Sequence, residues 1–323
     1  MTIQYIIFPG GGPIGIYIYG ILKQLKKNNF WNYNNIKSVY CTSIGGIFGI
    51  ITLLNLEESW IDDYIIKRPW NKIMDFTKTN YFDSLSEKGL FGNQVFKDLL
   101  EPLLNAKDLD INITLQEFYD YCKIIIYFYS TNINSNLLEL QEISYKNYPN
   151  MKLYDAIYAT CCIPFIFKPY FINNKCLIDG GLMCNTPIDR CLVNEECDKN
   201  NILFFSNANE NKKVELTNES NIFDLLILLL SKLATTLMCT NINFKNIDNI
   251  KYTIKCNLNN GSFNLNYWYN VLNNENERKI LINNGIDKAN EFLKLINTTD
   301  IDNSINIDNT TDIDNNANDI SNN

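Results

Sequence analysis

The chain has 323 residues, 46% of them hydrophobic and 13% aromatic, which is enough to bury a sizeable core and too apolar for general disorder. It contains no histidine, and this excludes a Ser-His-Asp triad, a Cys-His dyad and any His-ligated metal site. The net charge is −8, but six aspartates fall after Asn297 with no Lys or Arg among them; without those six the rest stands at −2. No basic surplus points to a nucleic-acid partner.

In chain order, Ile3 to Phe8 is a short apolar run stopped by Pro9 and three glycines, the pattern of a buried strand feeding a Gly-rich turn. Pro13 suits the first turn of a helix, where a missing N–H costs nothing, and that helix is expected to reach about Lys27. A second strand is expected from Lys37 to Tyr40, then a tight turn and an apolar helix over 47–56. Strand, turn, helix, strand, turn, helix is a βαβα opening, which implies an α/β fold with a mainly parallel central sheet flanked by helices. Further on, helices are expected over 94–104, 115–121 and 153–162. Strands are expected over 124–130, 137–143, 165–171, 175–178 and 202–206, the pair around 173–174 forming a hairpin.

Ile222 to Thr240 is strongly apolar and just long enough to span a bilayer, but it carries Asp224, Ser231 and Lys232, so a core or lid helix is the plainer reading, with an interfacial helix and then a true span as the alternatives. A last helix is expected over about 276–296. Beyond it the heptapeptide NTTDIDN occurs at 297–303 and again at 309–315, polar and acidic, and is expected to be a disordered tail. The organisation that follows is a catalytic core over 1–207, a helical extension packed on it over 208–296, and the tail over 297–323.

Ten cysteines contain no C-x-x-C pair, which argues against a zinc ribbon or a thioredoxin-like motif. No basic segment followed by a long apolar run opens the chain, so free thiols in the cytoplasm are expected.

Three motifs carry chemistry. Phe8-Pro9-Gly10-Gly11-Gly12-Pro13-Ile14-Gly15 formally fits a dinucleotide fingerprint, but no carboxylate precedes Glu57 to hold a ribose, and no Lys-Ser/Thr follows to make a P-loop. What survives is a set of glycines at a helix start, with backbone N–H groups able to approach a negative oxygen. Cys41-Thr42-Ser43-Ile44-Gly45 resembles the G-x-S-x-G elbow, which presents a serine hydroxyl on a strained strand-to-helix turn; here Cys stands in the first Gly position. Asp179-Gly180-Gly181 ends a strand with a carboxylate on a bare turn. Taken singly, each has a plain structural reading: a Gly-rich turn for the first two, an Asx turn or helix cap for the third.

Their order is more telling. A Gly-rich loop, an elbow serine and an Asp-Gly-Gly turn without any histidine resemble the patatin-like phospholipases, which use a Ser-Asp dyad. The block 156–169, AIYATCCIPFIFKP, and the Asn185-x-Pro187 step are similar to further stretches of that family, and the similarity spans about residues 3–207. Ile14 stands where the family usually has Arg or Lys.

The resemblance implies a patatin-like α/β/α fold and a serine lipid acyl hydrolase. Ser43 would be the nucleophile and Asp179 the proton acceptor. Gly10, Gly11, Gly12 and Gly15 would form the oxyanion loop, the N–H groups of Gly11 and Gly12 holding the oxyanion, with Cys41, Gly45, Gly180 and Gly181 as supports. No metal or cofactor is implied, and neither nucleotide nor nucleic acid is expected as a partner. The implied partner is a membrane phospholipid or another acyl lipid met by peripheral contact. A transacylase or peptidase would be a chemical variant on the same dyad. A catalytically inactive lipid-binding or host-interaction protein on the same scaffold is the alternative.

Overall fold

The computed structural model describes residues 2–75, 86–207, 216–218, 220, 222–240, 250–257 and 265–311. Its opening follows the alternation of the sequence: β1 (Tyr5–Phe8), α1 (Ile14–Lys27), β2 (Ser38–Thr42) and α2 (Ile44–Leu54). Two short helices, α3 (Glu58–Lys67) and α4 (Trp70–Ile73), come next. They are followed by β3 (Gly89–Phe91), α5 (Gln94–Asn105), α6 (Leu115–Cys122), β4 (Ile125–Asn132) and β5 (Glu139–Ile143). Then come α7 (Leu153–Cys161), β6 (Phe165–Phe167), β7 (Tyr170–Ile172), β8 (Lys175–Asp179), α8 (Ile188–Glu195) and β9 (Ile202–Asn207). The chain continues through α9 (Ile222–Thr240), β10 (Tyr252–Cys256), α10 (Leu265–Asn273) and α11 (Glu275–Thr311).

One eight-stranded sheet organises the molecule. β10, β9, β1, β2 and β4 run parallel in that spatial order, and β5 and β8 join β4 antiparallel, with β7 on β8. The parallel strands are almost wholly buried, as expected of strands covered by helices on both faces. The larger apolar core lies between the sheet and α1, α2, α5, α7 and α11, and a smaller one with Tyr5, Tyr40, Tyr127 and Tyr129 lies under α8. Both layers of helices around a mainly parallel sheet match the expected fold class.

Several local expectations change. The strand expected over 165–171 divides at Lys168-Pro169: β6 leaves the main sheet to pair with β3, and only β7 forms the hairpin with β8 around Asn173 and Asn174. Proline offers no N–H to a ladder, so a strand broken there is physically reasonable. The segment expected as a helical extension also contributes a strand, β10, whose alternating burial completes the sheet beside β9. Helix α11 runs to Thr311, through the first heptapeptide of the segment expected as a tail. Extending an existing helix adds one hydrogen bond per residue fixed and needs no new nucleus. The remainder of the tail, 312–323, lies outside the described residues.

Buried Arg278 pins the C-terminal segment to the body. Its guanidinium donates to the carbonyls of Ile66 at the end of α3 and of Val271 and Leu272 on α10. Carbonyls at helix ends are otherwise unsatisfied, so one charged fork serves several of them and holds α10 in place.

Candidate active site

The register on β4 explains how two residues 136 positions apart come together. β2 runs parallel to β4 and stops with Thr42 opposite Tyr129; β8 runs antiparallel to β4 and stops with Asp179 opposite Ser130. Because β5 pairs with the same β4 residues from the other edge, β2 and β8 must share one edge and meet there end to end. Ser43, the residue after β2, therefore emerges beside Asp179, the last residue of β8.

Ser43 caps α2 with φ 54° and ψ −131°, a backbone conformation that is costly for any residue with a Cβ. Three contacts maintain it. The Ser43 N–H donates to Thr160 Oγ1 at 3.0 Å, and Thr160 in turn donates to the carbonyl of Tyr129. The Ser43 carbonyl accepts from Gly46 N–H at 2.8 Å. Gly45 lies so close to β1 that a Cβ there would sit 2.7 Å from the Phe8 carbonyl oxygen. Cysteine at the first elbow position is accommodated on the other side: Cys41 is fully buried with its Sγ over Gly49, where a Cβ would approach to 2.6 Å. The glycine that the motif lacks on β2 is supplied one helical turn into α2.

Asp179 is buried and accepts from Gly181 N–H through Oδ1 at 2.7 Å. Its other oxygen, Oδ2, is buried with no hydrogen-bond partner. Burial pushes the Asp179 carboxyl up to about 6, and the nearby Ser43 hydroxyl and the Gly181 N–H pull the other way. The hydroxyl is near enough to act on the carboxylate, but Oδ2 has no partner in hydrogen-bond geometry. Gly180 passes over β4, where a Cβ would fall 2.0 Å from the Tyr129 carbonyl oxygen.

The glycine loop divides in its duties. Gly10 donates its N–H to the Asn185 carbonyl at 3.0 Å, and Gly15 donates to Gly12 at 3.1 Å within the first turn of α1. Gly11 (φ 138°) and Gly12 (φ 57°) have backbone conformations that favour glycine, and among the described residues their N–H groups meet no acceptor. Asn185 packs against both Gly10 and Gly181 and so ties the loop to the Asp turn. Ile14 is fully buried at the start of α1.

Two cavities meet at Ser43. The larger, about 170 Å³, is lined by hydrocarbon and aromatic side chains including Ile47, Phe48, Phe96 and Leu99. The smaller, about 60 Å³, holds Asp179, Asn185, Gly11 and Gly181 and is roofed by Ile227, Leu230 and Ala234 of α9. Gly12, Ile163 and Trp268 line both, and a Cβ on Gly12 would lie 2.5 Å from the Trp268 indole. Burial pushes up the thiols of Cys41, Cys161 and Cys162, so none of these neighbours is a thiolate near neutral pH. Among the described residues no group of three or more Cys, Asp and Glu side chains is placed to hold a metal ion.

The sequence-predicted residues Ser43, Asp179, Gly10, Gly11, Gly12, Gly45, Gly180 and Gly181 thus converge on one place. Gly15 lies behind it, against Phe48. Thr160, Asn185 and Trp268 were not predicted as site residues. The first two lie in stretches that carry the family resemblance, whereas nothing in the sequence around Trp268 marks it.

The family model for patatin-like phospholipases matches residues 6–192. A protein named probable lipid hydrolase 463L, from Invertebrate iridescent virus 6, is 26% identical over 186 residues, 57% of this chain and 61% of that protein. The uncharacterized protein L620 of Acanthamoeba polyphaga mimivirus is 23% identical over 234 residues, 58% of this chain and 63% of that one. The chain therefore spans less than two thirds of the length of these relatives. Among solved structures, VipD from Legionella pneumophila is similar with a TM-score of 0.48 at 15% identity, over 90% of this chain and 66% of VipD.

Proposed function

This chain belongs to the patatin-like phospholipase family, and we propose that it is a serine lipid acyl hydrolase working through Ser43 and Asp179. The observation that carries the reading is the strained Ser43, φ 54°, emerging at the end of β2 beside a buried carboxylate at the end of β8. Strain of this kind persists only where the surroundings impose it, and here Thr160, Gly45 and Gly49 do so.

Ser43 Oγ attacks the ester carbonyl carbon as its proton passes to Asp179, with no imidazole between them. The oxygen that gains the negative charge lies against the free N–H groups of Gly11 and Gly12 and near the positive end of α2. The N–H groups of Gly10 and Gly15 are already engaged, so these two residues act through close packing. Collapse breaks the ester bond, and the leaving alkoxide takes the proton from Asp179. Water then attacks the acyl-serine, gives its proton to Asp179 and releases the fatty acid, and Ser43 recovers its proton. The larger, apolar cavity takes the acyl chain, and the smaller takes the leaving group.

The test is hydrolysis of phospholipid vesicles and of short-chain nitrophenyl esters by wild type, Ser43→Ala and Asp179→Asn, with lipid product analysis. Both variants should lose activity by several orders of magnitude, and a histidine-directed reagent should leave the wild type unaffected. A fluorophosphonate probe should label the wild type and not Ser43→Ala. Labelling absent from the wild type would favour an inactive lipid-binding scaffold.

A further inference from the structure

Helix α9 is apolar on two faces, and among the described residues only one of them is covered. Ile227, Leu230 and Ala234 point inward and roof the small cavity that contains Asp179. About a third of a turn away, Ile222, Leu225, Leu229 and Leu233 recur at the spacing of one helical stripe, and each is between 45% and 59% exposed. Exposed Lys232 flanks the stripe, and Asp224, the acidic residue of this helix, lies outside it. Ile163 and Pro164 also line this cavity and lead into Phe165, which is 43% exposed with φ 72°. A bulky aromatic left largely exposed in a left-handed conformation, next to residues that line a cavity, is a costly arrangement.

We propose that the outer stripe of α9, Ile222, Leu225, Leu229 and Leu233, together with Phe165, docks the protein on a lipid surface and sets the small cavity facing it. The proposal rests on the lipid hydrolase reading, which supplies the reason for a lipid occupant: the inner face of this same helix covers the cavity that holds Asp179 beside Ser43. Aliphatic side chains enter the acyl boundary, an aromatic residue suits the interfacial level, and a flanking lysine suits anionic head groups. No described helix is long and apolar enough to cross a membrane, so the contact is one of lying on the surface.

Vesicle co-sedimentation of the Ser43→Ala protein, which leaves the lipid intact, tests the contact without depending on catalysis. With phosphatidylcholine vesicles carrying a fraction of phosphatidylglycerol, Leu225→Ser/Leu229→Ser/Leu233→Ser should lower partitioning by about tenfold or more. In the Ser43-intact background the same triple variant should keep turnover of soluble nitrophenyl butyrate within about twofold, since its side chains face away from the cavities. Should the triple variant fold poorly, deuterium uptake in the Ser43→Ala protein decides: amides of 222–237 should be slowed by vesicles. Undiminished vesicle binding by a folded triple variant, or unchanged uptake in a vesicle-bound protein, overturns the proposal. A triple variant that converts a dimer to a monomer without changing vesicle binding assigns the stripe to a second copy instead. Absent turnover of the soluble ester by wild type would overturn the hydrolase reading alone, because the vesicle measurement does not use it.

Discussion

Replacing Asp179 by Asn should make the fold less sensitive to pH in a calculable way. The carboxyl titrates at about 6 in the fold against 3.8 ordinarily, and burial is the main cause. Between those two values the folded chain holds a proton that the unfolded chain has lost, so stability falls as pH rises from about 4 to about 6 and is level above that. The difference corresponds to about 3 kcal/mol of stability lost once the buried group is ionised. The amide cannot ionise, so Asp179→Asn escapes this loss. Any fixed offset from its own NH₂, which meets the unpartnered Oδ2 position, is the same at every pH. Urea unfolding of both proteins at pH 4, 5, 6, 7 and 8 gives the variant-minus-wild-type difference, in which all other titrating groups cancel. It should rise by about 2.4 kcal/mol in favour of Asn between pH 4 and pH 7.5, the rest of the loss being already present at pH 4. A flat difference, or one that moves the other way, would mean that Asp179 is not a buried carboxylate awaiting a proton, and the proposed role as acceptor would fall with it.

The same carboxyl should set the acid limb of kcat/KM: activity should rise with pH through an apparent value near 6, and a limb near 4 would contradict the burial of Asp179. Thr160→Val removes the acceptor for the buried Ser43 N–H and the donor to Tyr129. We expect a stability loss of about 1–3 kcal/mol by denaturant titration and a fall in kcat, with Thr160→Ser restoring both. Gly49→Ala should destabilise by about 1–3 kcal/mol because its Cβ would meet Cys41 Sγ at 2.6 Å, and Cys41→Gly should relieve much of that loss in the double variant. Additive losses there would show that the two residues do not share the space. Gly12→Ala, with a positive φ and the Trp268 indole in the way, should cut kcat while leaving labelling of Ser43 by a small fluorophosphonate less affected.

Much of the site was legible because its parts are local. A strand stopping at three glycines, a serine between a small residue and a glycine, and an aspartate before two glycines each announce a turn at the end of a strand, and β1, β2 and β8 end where those motifs begin. The absence of histidine narrowed the acid–base chemistry before any fold was known. The apolar segment over 222–240 declared itself a helix, though not which of its faces would be covered.

What the sequence left undecided depended on contacts between distant segments. Cysteine at the elbow reads as a departure until Gly49 is found beneath its sulfur, since a missing Cβ in one helix makes room for an Sγ on a neighbouring strand. The resemblance singles out Gly11 and Gly12 as donors; that the N–H groups of Gly10 and Gly15 are taken, by Asn185 and by the first turn of α1, depends on the folded chain. The residue types and their order were fixed by the amino-acid sequence alone, because turn chemistry and strand periodicity act over a few residues. The meeting of Ser43 with Asp179 was decided by tertiary structure, because it required a parallel strand and an antiparallel strand to end head to head on one edge of β4.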